Sequence, residues 1–411
     1  METTQQTARG ALEGVRVIDL ASVVMGPYAT QILGDLGADV IKVEPPAGDM
    51  SRRTPPERHP GMGALALNVN RNKRSVALDL KSPDGHAAFL DLVATANVLV
   101  TNMRPGALRR LGLDAATLTA RHPGLVYCSA QGFRSDSALA DRAAYDEIVQ
   151  ASSGMADLMR RATGTPTYAP TIPADKVCAL TIVYSVLAAV VHQRATGEGQ
   201  VVEVPMTDTL LAFNLVEHLA GHTFEPAEGP MGFSRSMAGG HEAVATADGW
   251  ACILPYTPAN IADFFTAAGR DDLATDPRFT DRTALARHQS ELYAAVAAIA
   301  PERTTAQWGE LCAAHSIPFA PVLDLEDAQD DPYVADGGLL TTTEHPTEGT
   351  YRSIGFPVRL SRTPGGMRTP TPVVGQDTAA VLRELGRDGE AVAALAASGA
   401  ALVTDHPEEQ S

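Results

Sequence analysis

The sequence predicts an α/β fold: an open, largely parallel sheet in the first half of the chain, then a smaller mixed domain. Three observations lead there. Strand-like and helical runs alternate up to about residue 205. Composition changes across residues 222–240. The 411 residues exceed what one ordinary core organises.

The elements follow in order. "VRVIDLA" (15–21) is a β-branched strand, "MGP" turns the chain, and "YATQILGDLG" (28–37) has helical spacing with Ile32, Leu33 and Leu36 on one face. "ADVIKVEPP" (38–46) is a second strand stopped by prolines, which completes a βαβ unit. "RSVALDLKSPDG" (74–85) adds a strand and a helix entry, with Pro83 suited to a first helical position. "HAAFLDLVATA" is a helix, "NVLVTNM" (97–103) a strand, "ALRRLGLDAATLTARHPG" one helical stretch and "LVYCSAQGF" (125–133) a further strand. A long apolar helix over 175–195 and the strand "GQVVEVPM" (199–206) close this half. "HTFEPAEGPMGFSRSMAGG" (222–240) reads as a linker. Beyond it come a hairpin around "ADG" in 243–257, an Ala-rich helical stretch over 258–316, strand-like character over 337–363 and a polar helical end, with "HPEEQS" expected to fray.

Apolar residues are 45% and charged residues 20%, ordinary for a globular protein, and the net charge of −17 disfavours nucleic acid and anionic membrane as partners. Cys128, Cys178, Cys252 and Cys312 match no metal spacing and read as buried, reduced thiols. "METTQQTARGALEGVRV" has no apolar region of the secretory kind. The longest apolar run, Val177–Val191, is interrupted by Thr181, Tyr184 and Ser185 and reads as a core helix. The expectation is a cytoplasmic protein.

No phosphate-binding glycine loop, nucleophile elbow or metal-ligand motif is present. His218 and His222 are four apart, but with no matching acid an ordinary packing role is favoured. Cations cluster in "NRNKRS" (70–75), Lys81 and "NMRPGALRRLG" (102–112), beside strand ends where open sheets bind ligands. They could hold phosphates or form a solvated rim. Asp175 opens the apolar helix. It could be an N-cap, or a partly desolvated carboxylate able to act as a nucleophile.

"LEGVRVIDLASVVMGPYATQILGDLGADVIKVEPPAGDMSR", "NRNKRSVALDLKSPDG", "NMRPGALRRLGL" and "RATGEGQVVEVPMTDTL" resemble the family III (CaiB/BaiF-type) CoA-transferases, whose fold the α-methylacyl-CoA racemases share. The resemblance spans about residues 12–390. It implies a large Rossmann-like domain, a smaller α+β domain and an interlocked homodimer. The corresponding boundaries are 1–222 (large), 223–242 (linker and glycine loop), 243–330 (small) and 331–411 (return to the large domain, and tail).

Carried over residue by residue, the resemblance makes Asp175 the nucleophile, forming a mixed anhydride and then an aspartyl-CoA thioester. It assigns Val24, Met25, Leu78, Lys81, Asn102, Met103, Arg104, Ala107 and Arg110 to CoA. Tyr145, Gly239 and Gly240 would line the active site. Acyl-CoA and a carboxylic acid would be the substrates, with no metal and no resident cofactor. In "RAAYDEIVQ", Tyr145 stands where the racemases carry a histidine. Tyrosine, with a pKa of about 10, is a poor base toward an α-proton, which weighs against racemase activity. A non-catalytic CoA-binding protein is the third reading. Ala143 falls on a family base position, beside Arg142, and Arg235 in "GFSRSMAGG" is a candidate for a substrate carboxylate.

Overall fold

The computed structural model describes residues 10–404, so the expected frayed "HPEEQS" lies outside the described residues. In chain order its elements begin with β1 (Arg16–Leu20), α1 (Met25–Asp35), β2 (Asp39–Glu44), α2 (Ala64–Val69), β3 (Lys73–Leu78), α3 (Pro83–Val93), β4 (Val98–Thr101), α4 (Pro105–Leu111), α5 (Ala115–Arg121), β5 (Val126–Gln131) and α6 (Asp146–Ser152). Next come α7 (Met155–Thr163), α8 (Pro173–Thr196), β6 (Val201–Pro205), α9 (Met206–His218), α10 (Ser234–Met237), β7 (Val244–Ala245), β8 (Trp250–Ile253), α11 (Pro258–Ala267), α12 (Asp271–Ala274), α13 (Arg282–Arg287), α14 (Gln289–Ile299), α15 (Thr305–Ala314) and β9 (Phe319–Pro321). The chain ends through α16 (Pro332–Gly337), the hairpin β10 (Leu340–His345) and β11 (Gly349–Ile354), α17 (Thr378–Glu384), α18 (Gly389–Ala397) and β12 (Ala401–Leu402).

Two compact units form. One comprises the chain up to Ser153, Ala169–Phe213 and the residues from Asp336 on; the other comprises Gly154–Tyr168 and Asn214–Ala335. Within the region read as a linker, Ala220–Thr223 forms a 3-10 turn and Ser234–Met237 a short helix.

The first unit is built on a seven-stranded sheet of order β12-β3-β2-β1-β4-β5-β6, parallel except for β12, which pairs antiparallel with β3. Central strands such as β5 are buried at every position, as a sheet covered on both faces requires. Ile18, Ile41, Val76, Leu99 and Tyr127 point to one face, where they pack with Phe89, Leu92, Leu108, Leu118, Leu382 and Leu395 from α3, α4, α5, α17 and α18. Alternation sends the intervening residues to the other face. There α1 and α8 pack on each other, α1 also against β1 and β2, and α8 against β5 and β6.

The stretch read as one helix after residue 106 is two. Gly112 ends α4 in the left-handed region (φ 64), and the Asp114 carboxylate caps α5 by accepting from the Thr117 N–H. Among the described residues α8 is long and apolar enough to span a membrane. It is only partly a core helix, because Leu180, Tyr184 and Val191 leave an apolar stripe exposed.

The second unit holds a small antiparallel sheet, β7-β8-β9, with β7 and β8 forming the hairpin expected around "ADG". Its core stacks Phe264 on Trp308 and Phe265 on Phe279. Cys128, Cys178 and Cys312 are buried, but Cys252 is exposed, because β8 alternates and Cys252 falls on its outer face. His218 ends α9 and accepts the Phe233 N–H, whereas His222 lies in the following 3-10 turn, so the two do not share a helix. No cluster of three or more potential metal ligands occurs among the described residues.

Candidate active site

The strand order reverses direction between β1 and β4: from β1 the sheet runs one way through β2 and β3 and the other way through β4, β5 and β6. Loops leaving the carboxyl ends of two such neighbours diverge and open a crevice. A cleft of about 240 Å³ lies there, in the first unit. Ser22, Val23 and Met25 line it after β1, Asn102, Met103 and Arg104 after β4, and Ala130, Gln131 and Gly132 at the end of β5. Arg142–Tyr145, Asp175, Met50 and Met206 complete the wall.

The turn after β1 is strained and clamped. Val23 has φ 68, a left-handed conformation that a β-branched residue rarely adopts. Its N–H donates to both Asp49 carboxylate oxygens, at 3.1 and 3.3 Å. Asp49 also accepts from the Ser51 N–H and from Lys42 Nζ at 2.8 Å, and Lys42 in turn donates to the Ala21 carbonyl at 2.9 Å. Burial alone would raise the Asp49 pKa, but the Lys42 ammonium beside it, with the hydrogen bonds it accepts, holds it below the ordinary carboxylate range. From the other side Asn102 Oδ1 accepts the Ser22 N–H at 2.9 Å, and Asn102 Nδ2 donates to the Ser22 carbonyl at 2.8 Å. Asn102 therefore locks the two diverging loops together.

Asp175 is not an N-cap. Pro173 begins α8, Ile172 precedes it without a capping side chain, and Asp175 is the third helical residue. The cap comes from another helix: Asp146 Oδ1 accepts the Asp175 N–H at 3.1 Å, while its other oxygen accepts from Gln150 Nε2. The Asp175 carboxylate is half-buried and accepts no hydrogen bond among the described residues. Its pKa is pushed up to about 6, first by burial and then by the neighbouring Asp146 and Glu147 carboxylates. These effects outweigh the favourable field of the helix N-terminus. One turn on, Cys178 offers no competing nucleophile, since burial pushes its thiol up to about 12.

The cleft gathers Met25, Asn102, Met103, Arg104, Tyr145 and Asp175 from the residues singled out in the sequence, together with Arg142 and Ala143. Arg104 and Arg142 have no carboxylate partner among the described residues. Val24 faces away, into an apolar cavity lined also by Tyr28, Ile32 and Phe356. Leu78 is buried at the end of β3, and Lys81, Ala107 and Arg110 lie outside the cleft wall, Lys81 and Arg110 both exposed. Gly239 and Gly240 belong to the second unit, where both are exposed and Gly240 has φ 80.

The "NRNKRS" cations are not a phosphate site. Arg71 pairs with Asp35, Lys73 with buried Asp19, and Arg74 with Asp39 and Glu384. They precede or begin β3, at its amino end, and structural ion pairs consume their charge.

Sequence reasoning passed over four features. Met50 and Met206 join Met25 and Met103 in a soft, adaptable apolar lining. Gln131, 8% exposed, has an amide oxygen with no partner among the described residues. Asp146 caps and tunes Asp175. Gly132 allows close approach: a Cβ there would sit 2.3 Å from that of Ala144 in the cleft wall. Chemically, the cleft presents an uncommitted, unusually basic carboxylate beside an apolar trough and two free guanidinium groups.

A family model described as CoA-transferase family III matches residues 12–378. The chain is 31% identical over 395 residues to a succinate–glutarate CoA-transferase of Agrobacterium fabrum, covering 93% of this chain and 98% of that one. It is 32% identical over 396 residues to a succinyl-CoA:mesaconate CoA-transferase of Haloarcula hispanica, covering 92% and 97%. The crystal structure of a CaiB/BaiF family protein from Brucella suis superposes with a TM-score of 0.79 at 27% identity, covering 92% of this chain and all of that one. Fold, cleft and sequence agree: the chain is an enzyme that belongs to CoA-transferase family III.

Proposed function

We propose that the enzyme moves CoA between carboxylic acids, with Asp175 as a covalent nucleophile. The Asp175 carboxylate attacks the acyl-CoA carbonyl, a C–O bond forms, the C–S bond breaks, and CoA thiolate leaves a mixed anhydride. The thiolate then attacks the Asp175 carbonyl carbon, releasing the first acid and leaving an aspartyl-CoA thioester. The acceptor carboxylate displaces the thiolate from that thioester to give a second anhydride. Attack of the thiolate on the acceptor's carbonyl carbon releases the new acyl-CoA and restores Asp175. Thioester energy is conserved throughout, and each covalent step splits an acyl transfer that would be harder undivided.

The observation that carries this reading is the unpaired Asp175 carboxylate with its pKa near 6. At neutral pH most of it is ionised, and it is more basic than an ordinary carboxylate. The trough of Met25, Met50, Met103 and Met206 suits a pantetheine arm, and Arg104 and Arg142 suit phosphate or carboxylate oxygens. Tyr145, which the resemblance sets where the racemases carry a histidine, lines the cleft, and a tyrosine is a poor base toward an α-proton, so the racemase reading has less support. We read the protein as a cytoplasmic homodimer, interlocked as its family resemblance implies. The exposed stripe of Leu180, Tyr184 and Val191 on α8 supports a partner on that face.

Asp175→Ala is expected to lower transfer by at least about a thousandfold with the fold intact. With acyl-CoA and hydroxylamine, the wild type should accumulate a hydroxamate on Asp175, read by peptide mass spectrometry. Transfer at the wild-type rate in Asp175→Ala would refute the assignment.

A further inference from the structure

We propose that the second unit carries a binding site for a short aliphatic dicarboxylate, built on Arg235 and Arg282. Both side chains line one cavity of about 240 Å³, and no acidic side chain lines it with them. Neither arginine has an ion-pair partner among the described residues, whereas Arg270 and Arg278 of the same unit pair with Asp272 and Asp276. Two guanidinium groups facing one hollow repel each other, and a bound anion relieves that repulsion. Arg235 is held in place by Tyr256, its Cζ lying 4.9 Å from the ring centroid.

Tyr293 lines the same cavity, is only 8% exposed, and its hydroxyl has no hydrogen-bond partner among the described residues. A buried hydroxyl without a partner is costly, and a ligand carboxylate would satisfy it. Leu254, Leu285 and Leu292 supply hydrocarbon to the wall, beside the polar side chains of Thr257 and Gln289. Cationic groups combined with an apolar wall fit carboxylates joined by a methylene chain. Inorganic phosphate would leave that wall bare. Binding here needs none of the acyl chemistry proposed for Asp175, so the two proposals fail separately.

The test is isothermal titration calorimetry of the full chain with glutarate, the chain-matched monoacid valerate, and phosphate. Glutarate should bind wild type and Asp175→Ala with equal affinity. Arg235→Gln and Arg282→Gln, each checked for an unchanged melting temperature, should bind it at least about tenfold more weakly. Valerate and phosphate should each bind wild type at least about tenfold more weakly than glutarate does. Equal glutarate affinity in wild type and both arginine variants would overturn the proposal. So would no binding to wild type, binding lost in Asp175→Ala but kept in the arginine variants, or phosphate or valerate binding as tightly as glutarate.

Discussion

At the scale of the residue, the Asp175 carboxylate proposed as the nucleophile has surroundings that work against its charge. Burial and two neighbouring carboxylates raise the Asp175 pKa to about 6, so the folded protein holds this proton more tightly than the unfolded chain does. The group therefore favours folding most at low pH, and that contribution is lost as pH rises from the ordinary carboxylate range through about 6. Asp175→Asn, neutral at every pH, should be more stable than wild type by about 1–3 kcal/mol at neutral pH. The difference should vanish in acid, as urea melts across the pH range would read. In the same window kcat/KM of the wild type should rise with pH and level above about 6. The motifs around Asp175 singled it out in the sequence, and it lines the cleft. Its cap was not legible there, because Asp146 supplies it from 29 residues away. For the same reason the "NRNKRS" cations looked free: their partners Asp19, Asp35 and Asp39 lie on other elements.

At the scale of the element, the turn between β1 and α1 does most to shape the cleft. A β-branched residue at positive φ costs about 1–2 kcal/mol and must be held by its surroundings. Asp49 and Asn102 hold it. Asp49→Ala would remove the ion-pair partner of Lys42, whose side chain is 0% exposed, while leaving it the Ala21 carbonyl and the Asp19 and Glu44 charges, and should cost about 1.5–3 kcal/mol in denaturant melts. A loss below about 1 kcal/mol would mean that the ion pair does not support the turn. The strands and most helices were legible, because period-two and period-3.6 patterns are local. The break at Gly112 was also written in the chain, as a glycine followed by the capping Asp114, but apolar spacing on both sides masked it. The left-handed Val23 had no local signal, since nothing in "LASVVMG" favours it over an extended valine.

At the scale of the whole molecule, parallel strands were expected, but the order β12-β3-β2-β1-β4-β5-β6 was not. Order depends on which strands pair across long separations, and the two-residue β12 is too short for any pattern to reveal. That order creates the switch point where the cleft lies. The apolar stripe on α8 bears on assembly: Tyr184 is 62% exposed. Sedimentation equilibrium should give a dimer for wild type and a weakened one for Tyr184→Glu, whereas a wild-type monomer would contradict the proposed assembly. The covalent cycle is tested most directly with an acceptor acid whose carboxylate oxygens are heavy oxygen. An aspartyl anhydride requires the acceptor to leave one of those oxygens on the enzyme, so turnover should place heavy oxygen in the Asp175 side chain, read by peptide mass spectrometry. Complete transfer with no heavy oxygen in that peptide would contradict the covalent route through Asp175.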